Sequence, residues 1–134
     1  MINLDYYAAQ YAQATINNDP GSPGSASDMD TVVTNALGVL QEMGIYACVL
    51  FLSSTKAHSD QALVVRQEIL NLLGAVALPG FPDNTRNEAE ILSNISENVT
   101  RSLEHTLFVK QLVERMLIYA RYGAKAKANR SGGS

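Results

Sequence analysis

The sequence predicts an all-α protein, a single compact bundle of about five to six helices with a long C-terminal helix. Three observations predict it. Apolar residues recur three and four positions apart in successive segments, and stretches of Pro, Gly and short polar residues separate those segments. No two segments show the apolar-polar alternation that a pair of strands requires. With 134 residues the chain has the usual size of one domain, so 1–134 reads as a single helical unit.

The first helix is expected over Leu4–Ile16, where Leu4, Tyr7, Ala8, Tyr11, Ala12 and Ile16 share a face. Residues 17–27 hold two prolines and two glycines among short polar residues, which predicts a flexible loop. It is a poor phosphate cradle, because no strand precedes it and no Gly-Lys-Ser/Thr follows. Ser27 and Asp30 have the spacing of a capping box for a second helix carrying Met29, Val32, Val33, Ala36, Leu37 and Leu40. Gly44 interrupts. The run Ile45–Leu52 is apolar all round and is expected as a buried helix rather than a strand, since no partner strand of similar quality exists.

A polar break at His58–Asp60 precedes a fourth helix with Ala62, Leu63, Val65, Ile69, Leu70, Leu72 and Leu73. Pro79, Gly80 and Pro82 mark a loop, and Thr85 with Glu88 forms a second capping box ahead of Ala89, Ile91, Leu92 and Ile95. Val99 to about Lys127 is the longest helical pattern, and 128–134 reads as a frayed tail.

Composition narrows the function classes. The longest apolar run, Ile45–Leu52, falls far short of the ~20 residues a membrane span needs, so no membrane partner is expected. No basic-then-apolar leader opens the chain, and the expected compartment is the cytoplasm. The single cysteine, Cys48, lies in that apolar run and reads as a small buried hydrophobe. Only two histidines are present, His58 and His105, with no metal-ligand spacing around them, so neither a metal nor a cofactor is expected. Glu88 and Glu90 diverge on their helix, while Asp28 and Asp30 suit a helix N-terminus. Nothing here points to catalysis.

Charge does point somewhere. Residues 101–134 hold seven of the ten basic residues against two acids, a formal +5, while the remainder carries −8. Such asymmetry bears on partners rather than fold and directs an anionic ligand to the C-terminal third. On the long helix Val109, Leu112, Val113, Met116, Leu117 and Ala120 share a face, the expected core stripe. Arg101, Phe108, Arg115, Tyr119 and Tyr122 fall within roughly 80° of one another on another side. Lys110, Glu114, Ile118, Arg121 and Lys125 form a flank. Basic residues attract phosphates and interleaved rings can stack on bases. The same pattern also suits a helix whose Phe108, Ile118, Tyr119 and Tyr122 pack against another helix or subunit, with cations at the rim.

Two segments carry a family resemblance. Ala36-Leu-Gly-Val-Leu-Gln-Glu-Met-Gly-Ile-Tyr-Ala-Cys-Val-Leu-Phe-Leu-Ser-Ser, running into a turn that bears Lys56, resembles the helix-break-helix core of the Cmr-type small subunit of type III-B CRISPR effector complexes. Phe108-Val-Lys-Gln-Leu-Val-Glu-Arg-Met-Leu-Ile-Tyr-Ala-Arg-Tyr-Gly-Ala-Lys-Ala is similar to that family's closing helix. The resemblance implies a non-catalytic helical subunit, present in several copies. It would stack beside guide RNA and target RNA and contact the backbone and large subunits. Arg101, Lys110, Arg115, Arg121, Lys125 and Lys127 are the residues expected to face RNA, with Lys56 and Arg66 as further candidates. The first helix has no Lys or Arg, which confines the expected contact to the C-terminal end. The rival expectation is a structural adaptor that binds protein only, with no nucleic-acid role.

Overall fold

The computed structural model describes residues 4–21, 26–75 and 103–132. Among these the chain forms five helices and no strand: α1 (Leu4–Asn17), α2 (Ala26–Met43), α3 (Ile45–Ser54), α4 (Ser59–Ala75) and α5 (Leu103–Gly132). The expected helix at 85–95 and Arg101 lie outside the described residues. α5 runs on to Gly132, across most of the segment read as a tail.

The helices form because each has one stripe to bury, and all five stripes meet in one core. Ala8, Ala12 and Ile16 of α1 join Met29, Val33, Ala36 and Leu40 of α2, together with Ile45, Cys48, Val49 and Leu52 of α3. α4 adds Ala62, Val65, Ile69, Leu72 and Leu73, and α5 adds Val109 to Ala124 at helical spacing. α5 packs chiefly on α1 and α2, which flank it.

The flanking directions follow from side-chain pairs. Asp5 sits beside Arg115, and Ile16 touches Gly123, so α1 and α5 run side by side in the same direction. A Cβ at Gly123 would stand 3.1 Å from Ile16 Cγ1, and the missing side chain allows this close approach. Lys110 reaches Gln41 and Lys125 reaches Asp30, so α2 runs antiparallel to α5.

Two local readings need correction. α2 begins at Ala26, which places Ser27 inside its first turn, and Asp30 does not close a capping box. Asp30 instead accepts the Thr34 hydroxyl at 3.2 Å and pairs with Lys125. α3 is a helix as expected, but it is not buried all round: Ile45, Cys48, Val49 and Leu52 face the core while Tyr46 and Leu50 are exposed. A ten-residue helix at the margin of a small bundle has too few neighbours to cover every side.

Gly44 makes the α2–α3 corner possible. Its φ of 96° and ψ of −177° lie in a region essentially closed to L side chains. Its N–H still bonds Leu40 O at 3.0 Å and its carbonyl accepts from Cys48 N–H at 3.1 Å, so the chain bends without losing its ladder.

A polar cluster pins the start of the α1–α2 connection to α4. Glu68 is buried, with Asn18 Nδ2 donating to Oε2 at 3.3 Å and Asn71 Nδ2 to Oε1 at 3.0 Å. Gln61 Nε2 and Gly21 N–H both donate to Asp19 Oδ1, at 3.3 and 3.0 Å. A carboxylate held among amides satisfies the rule that buried polar groups keep partners.

Candidate interaction surface

The surface is built on α5, which has no Gly or Pro from Leu103 to Tyr122 to interrupt its helix. Val109, Leu112, Val113, Met116, Leu117 and Ala120 are all buried, as their spacing predicts, and Ala124 extends the stripe by another turn. With that stripe inward, the remaining residues sort into two edges and an outward ridge.

Along the α1 edge, Phe108 is half-buried against the core. Arg115 pairs with Asp5 at 3.7 Å, and the Tyr119 hydroxyl donates to the same carboxylate oxygen, Asp5 Oδ1. The hydrogen bond to Asp5 holds the Tyr119 phenol above the usual tyrosine range, because ionising it would set two anions against each other. Two hollows lie along this edge: one of about 50 Å³ between Leu4, Phe108, Gln111, Leu112 and Arg115, too small for a ligand, and a shallow, open one of about 460 Å³ along Gln111, Glu114, Arg115, Ile118 and Tyr119.

Along the α2 edge, Lys110 Nζ donates to Gln41 O at 3.2 Å, near the end of α2, where free carbonyls and the helix dipole favour a cation. Lys125 Nζ lies 3.6 Å from Asp30 Oδ2. Two of the expected RNA-facing cations, Arg115 and Lys125, are therefore matched by carboxylates from neighbouring helices. At the surface such pairs are weak and exchangeable.

The outward ridge is Ile118, Arg121, Tyr122 and Lys125, at positions i, i+3, i+4 and i+7 of one helix. Ile118 is half-buried against the core, while Tyr122 is 65% exposed. Arg121 is half-buried. Its Nε is shielded without a hydrogen-bond acceptor, and no carboxylate among the described residues pairs with it. Lys127 follows two residues after Lys125, half-buried.

The two weaker candidates lie elsewhere. Lys56 is exposed on the α3–α4 connection. Arg66 Nη1 donates to Ser53 Oγ at 3.0 Å and thereby ties α4 to α3. The structure thus ties Arg115 and Tyr119 to α1 through Asp5, ties Lys125 to α2 through Asp30, leaves Tyr122 exposed, and sets Lys56 and Arg66 apart from α5. Sequence reasoning missed Asp5 and Asp30 as partners of this surface. Their pairing depends on how three helices are rotated against one another, which no local signal encodes.

Other chemistry is sparse. Cys48 is buried, its Sγ–H donates to Ala36 O at 3.5 Å, and burial pushes its thiol up to about 12. Among the described residues no three His, Cys, Asp or Glu side chains group as a metal site, and no helix is long and apolar enough to cross a membrane. Compared with known proteins, the chain matches no family model, no curated protein and no solved structure, so the reading of α5 rests on its own geometry.

Proposed function

We propose that this chain is a non-catalytic helical small subunit of an RNA-guided, RNA-targeting type III CRISPR effector complex, acting in the cytoplasm. It braces the filament beside other copies of itself and the backbone and large subunits, and touches guide or target RNA through α5. One observation carries the reading: after burying a complete stripe, α5 still presents a second ridge that combines cations with an exposed ring. Cations are ordinary on the solvent face of an amphipathic helix, so it is the exposed ring beside them that favours a contact. The work asked of such a subunit is electrostatic and shape-based, holding phosphates without reading bases.

The carboxylate partners of Arg115 and Lys125 favour a second reading, a protein-binding adaptor in which the cations only solvate the rim of an apolar contact at Phe108, Ile118, Tyr119 and Tyr122. Recovery of the tagged chain from its own cells separates the two. The first reading expects RNA together with several larger subunits, in an assembly that nuclease treatment disrupts. Recovery of one protein partner, free of RNA and stable in high salt, would refute it in favour of the adaptor.

A further inference from the structure

We infer that α3 is a contact between two copies of this chain, its outer apolar face pairing antiparallel with the same face of a second copy across a two-fold axis. The pairing uses a surface that neither reading of α5 assigns, and it goes beyond both.

Composition is the first argument. Ile45–Ser54 contains no charged residue. Ile45, Cys48, Val49 and Leu52 fill its core side, yet the other side is apolar as well: Tyr46 is 40% and Leu50 44% exposed, with Ala47 and Phe51 half-buried beside them. Met43, just before Gly44, is 71% exposed at the same corner. Single exposed leucines are ordinary, but a helix without charge on any side leaves a continuous apolar strip facing water. α3 packs chiefly on α2 and α4, and no described helix covers this strip.

Charge at the two ends of the strip selects a second copy as the partner. Glu42 is exposed three residues before α3 begins, and Lys56 is exposed two residues after it ends. Neither pairs with another described residue. A two-fold axis across the middle of α3 sets each Glu42 against the Lys56 of the other copy, because an isologous contact exchanges the two ends. It also opposes the two helix dipoles. A nucleic acid gains little from an uncharged strip with an acid at one end. Ten residues of helix span about 15 Å, so the contact falls below the ~1,200 Å² of standard interfaces and half-pairing is expected at about 10–100 µM. α5 lies on α1 and α2, so each pair still presents two uncovered copies of it.

The test is sedimentation equilibrium of the full chain from about 1 to 500 µM, with a thermal melt of every variant. The parent is expected to pass from monomer to dimer, and to do so even in about 1 M salt, where attraction between basic α5 and the acidic side of another copy is screened. Leu50→Asp sets a charge beside its own mate at the middle of α3 and is expected to leave a monomer. Tyr46→Lys is expected to do the same and replaces it should Leu50→Asp fail to fold. At low salt Glu42→Lys and Lys56→Glu are each expected to weaken pairing about tenfold, since each turns two attractions into repulsions, and the double swap is expected to restore it. A dimer that Leu50→Asp and Tyr46→Lys both leave intact, or a double swap that restores nothing, overturns the arrangement. A chain that stays monomeric overturns it too. A lowered melt for Leu50→Asp then shows the strip covered within the chain, and an unchanged melt leaves it to a different protein.

Discussion

Replacing Leu117 by Ala tests how α5 is rotated in the bundle. Leu117 is fully buried, Ile118 is half-buried and Tyr122 is 65% exposed, so three nearby positions sample three environments. Removing a fully enclosed leucine side chain costs about 2–5 kcal/mol, from lost transfer energy plus the cavity left behind. Unfolding entropy near 2.1 cal/mol/K per residue over 134 residues converts each kcal/mol to a loss of about 3–4 °C. Leu117→Ala should therefore lower Tm by about 7–18 °C, and Tyr122→Ala should stay within about 2 °C, as exposed substitutions do. Ile118→Ala should fall between. The assay is a calorimetric or circular-dichroism melt at fixed concentration, with denaturant unfolding to confirm that the midpoint moves while the slope does not. Losses that rank Tyr122 or Ile118 above Leu117 would mean that α5 is turned about its axis. The outward ridge would then not exist as described.

Three further predictions concern the frame that holds α5. Cys48 should resist a thiol reagent in the native protein and react only on unfolding, because the thiolate is the nucleophile and burial raises its pKa from 9.0 to about 12. The native state retains that proton when the unfolded chain has lost it, so the linked stability is intact below pH 9 and is lost as pH rises toward 12, which a melting series across that range would reveal. Gly44→Ala should destabilise by about 1–3 kcal/mol, since φ 96° with ψ −177° strains any residue with a Cβ; an unchanged melt would argue against that corner. Glu68→Ala should cost about 1–3 kcal/mol by leaving the Asn18 and Asn71 amides without their acceptor. It should also speed amide exchange at Asn18–Gly21, and unaltered exchange there would show that the cluster does not hold the connection.

The parts legible in the sequence were those set by local period. The stripe Val109–Ala120 is buried residue by residue because helical geometry alone dictates which side chains share a face. The α2–α3 break was visible because Gly44 is the one residue there able to adopt its backbone angles. Tertiary pairing was not visible. Asp30 has the position of a capping-box partner to Ser27 in sequence, yet its carboxylate serves Thr34 and Lys125, since Ser27 lies inside the helix and α5 brings a cation alongside. Asp5 and Tyr119 are 114 residues apart and meet only through the parallel packing of α1 on α5. Charge counting overstated the basic character of the C-terminal third for the same reason: counterions arrive from other helices.

The central claim is that α5 holds RNA by its outward cations, and the salt dependence of binding tests it most directly. A uridine 20-mer titrated against the full chain between about 50 and 200 mM salt should bind more weakly as salt rises, with a slope of about −0.7 for each phosphate that the cations of α5 engage. Binding that is absent at the lowest salt, or that persists with no dependence on salt, would contradict the account.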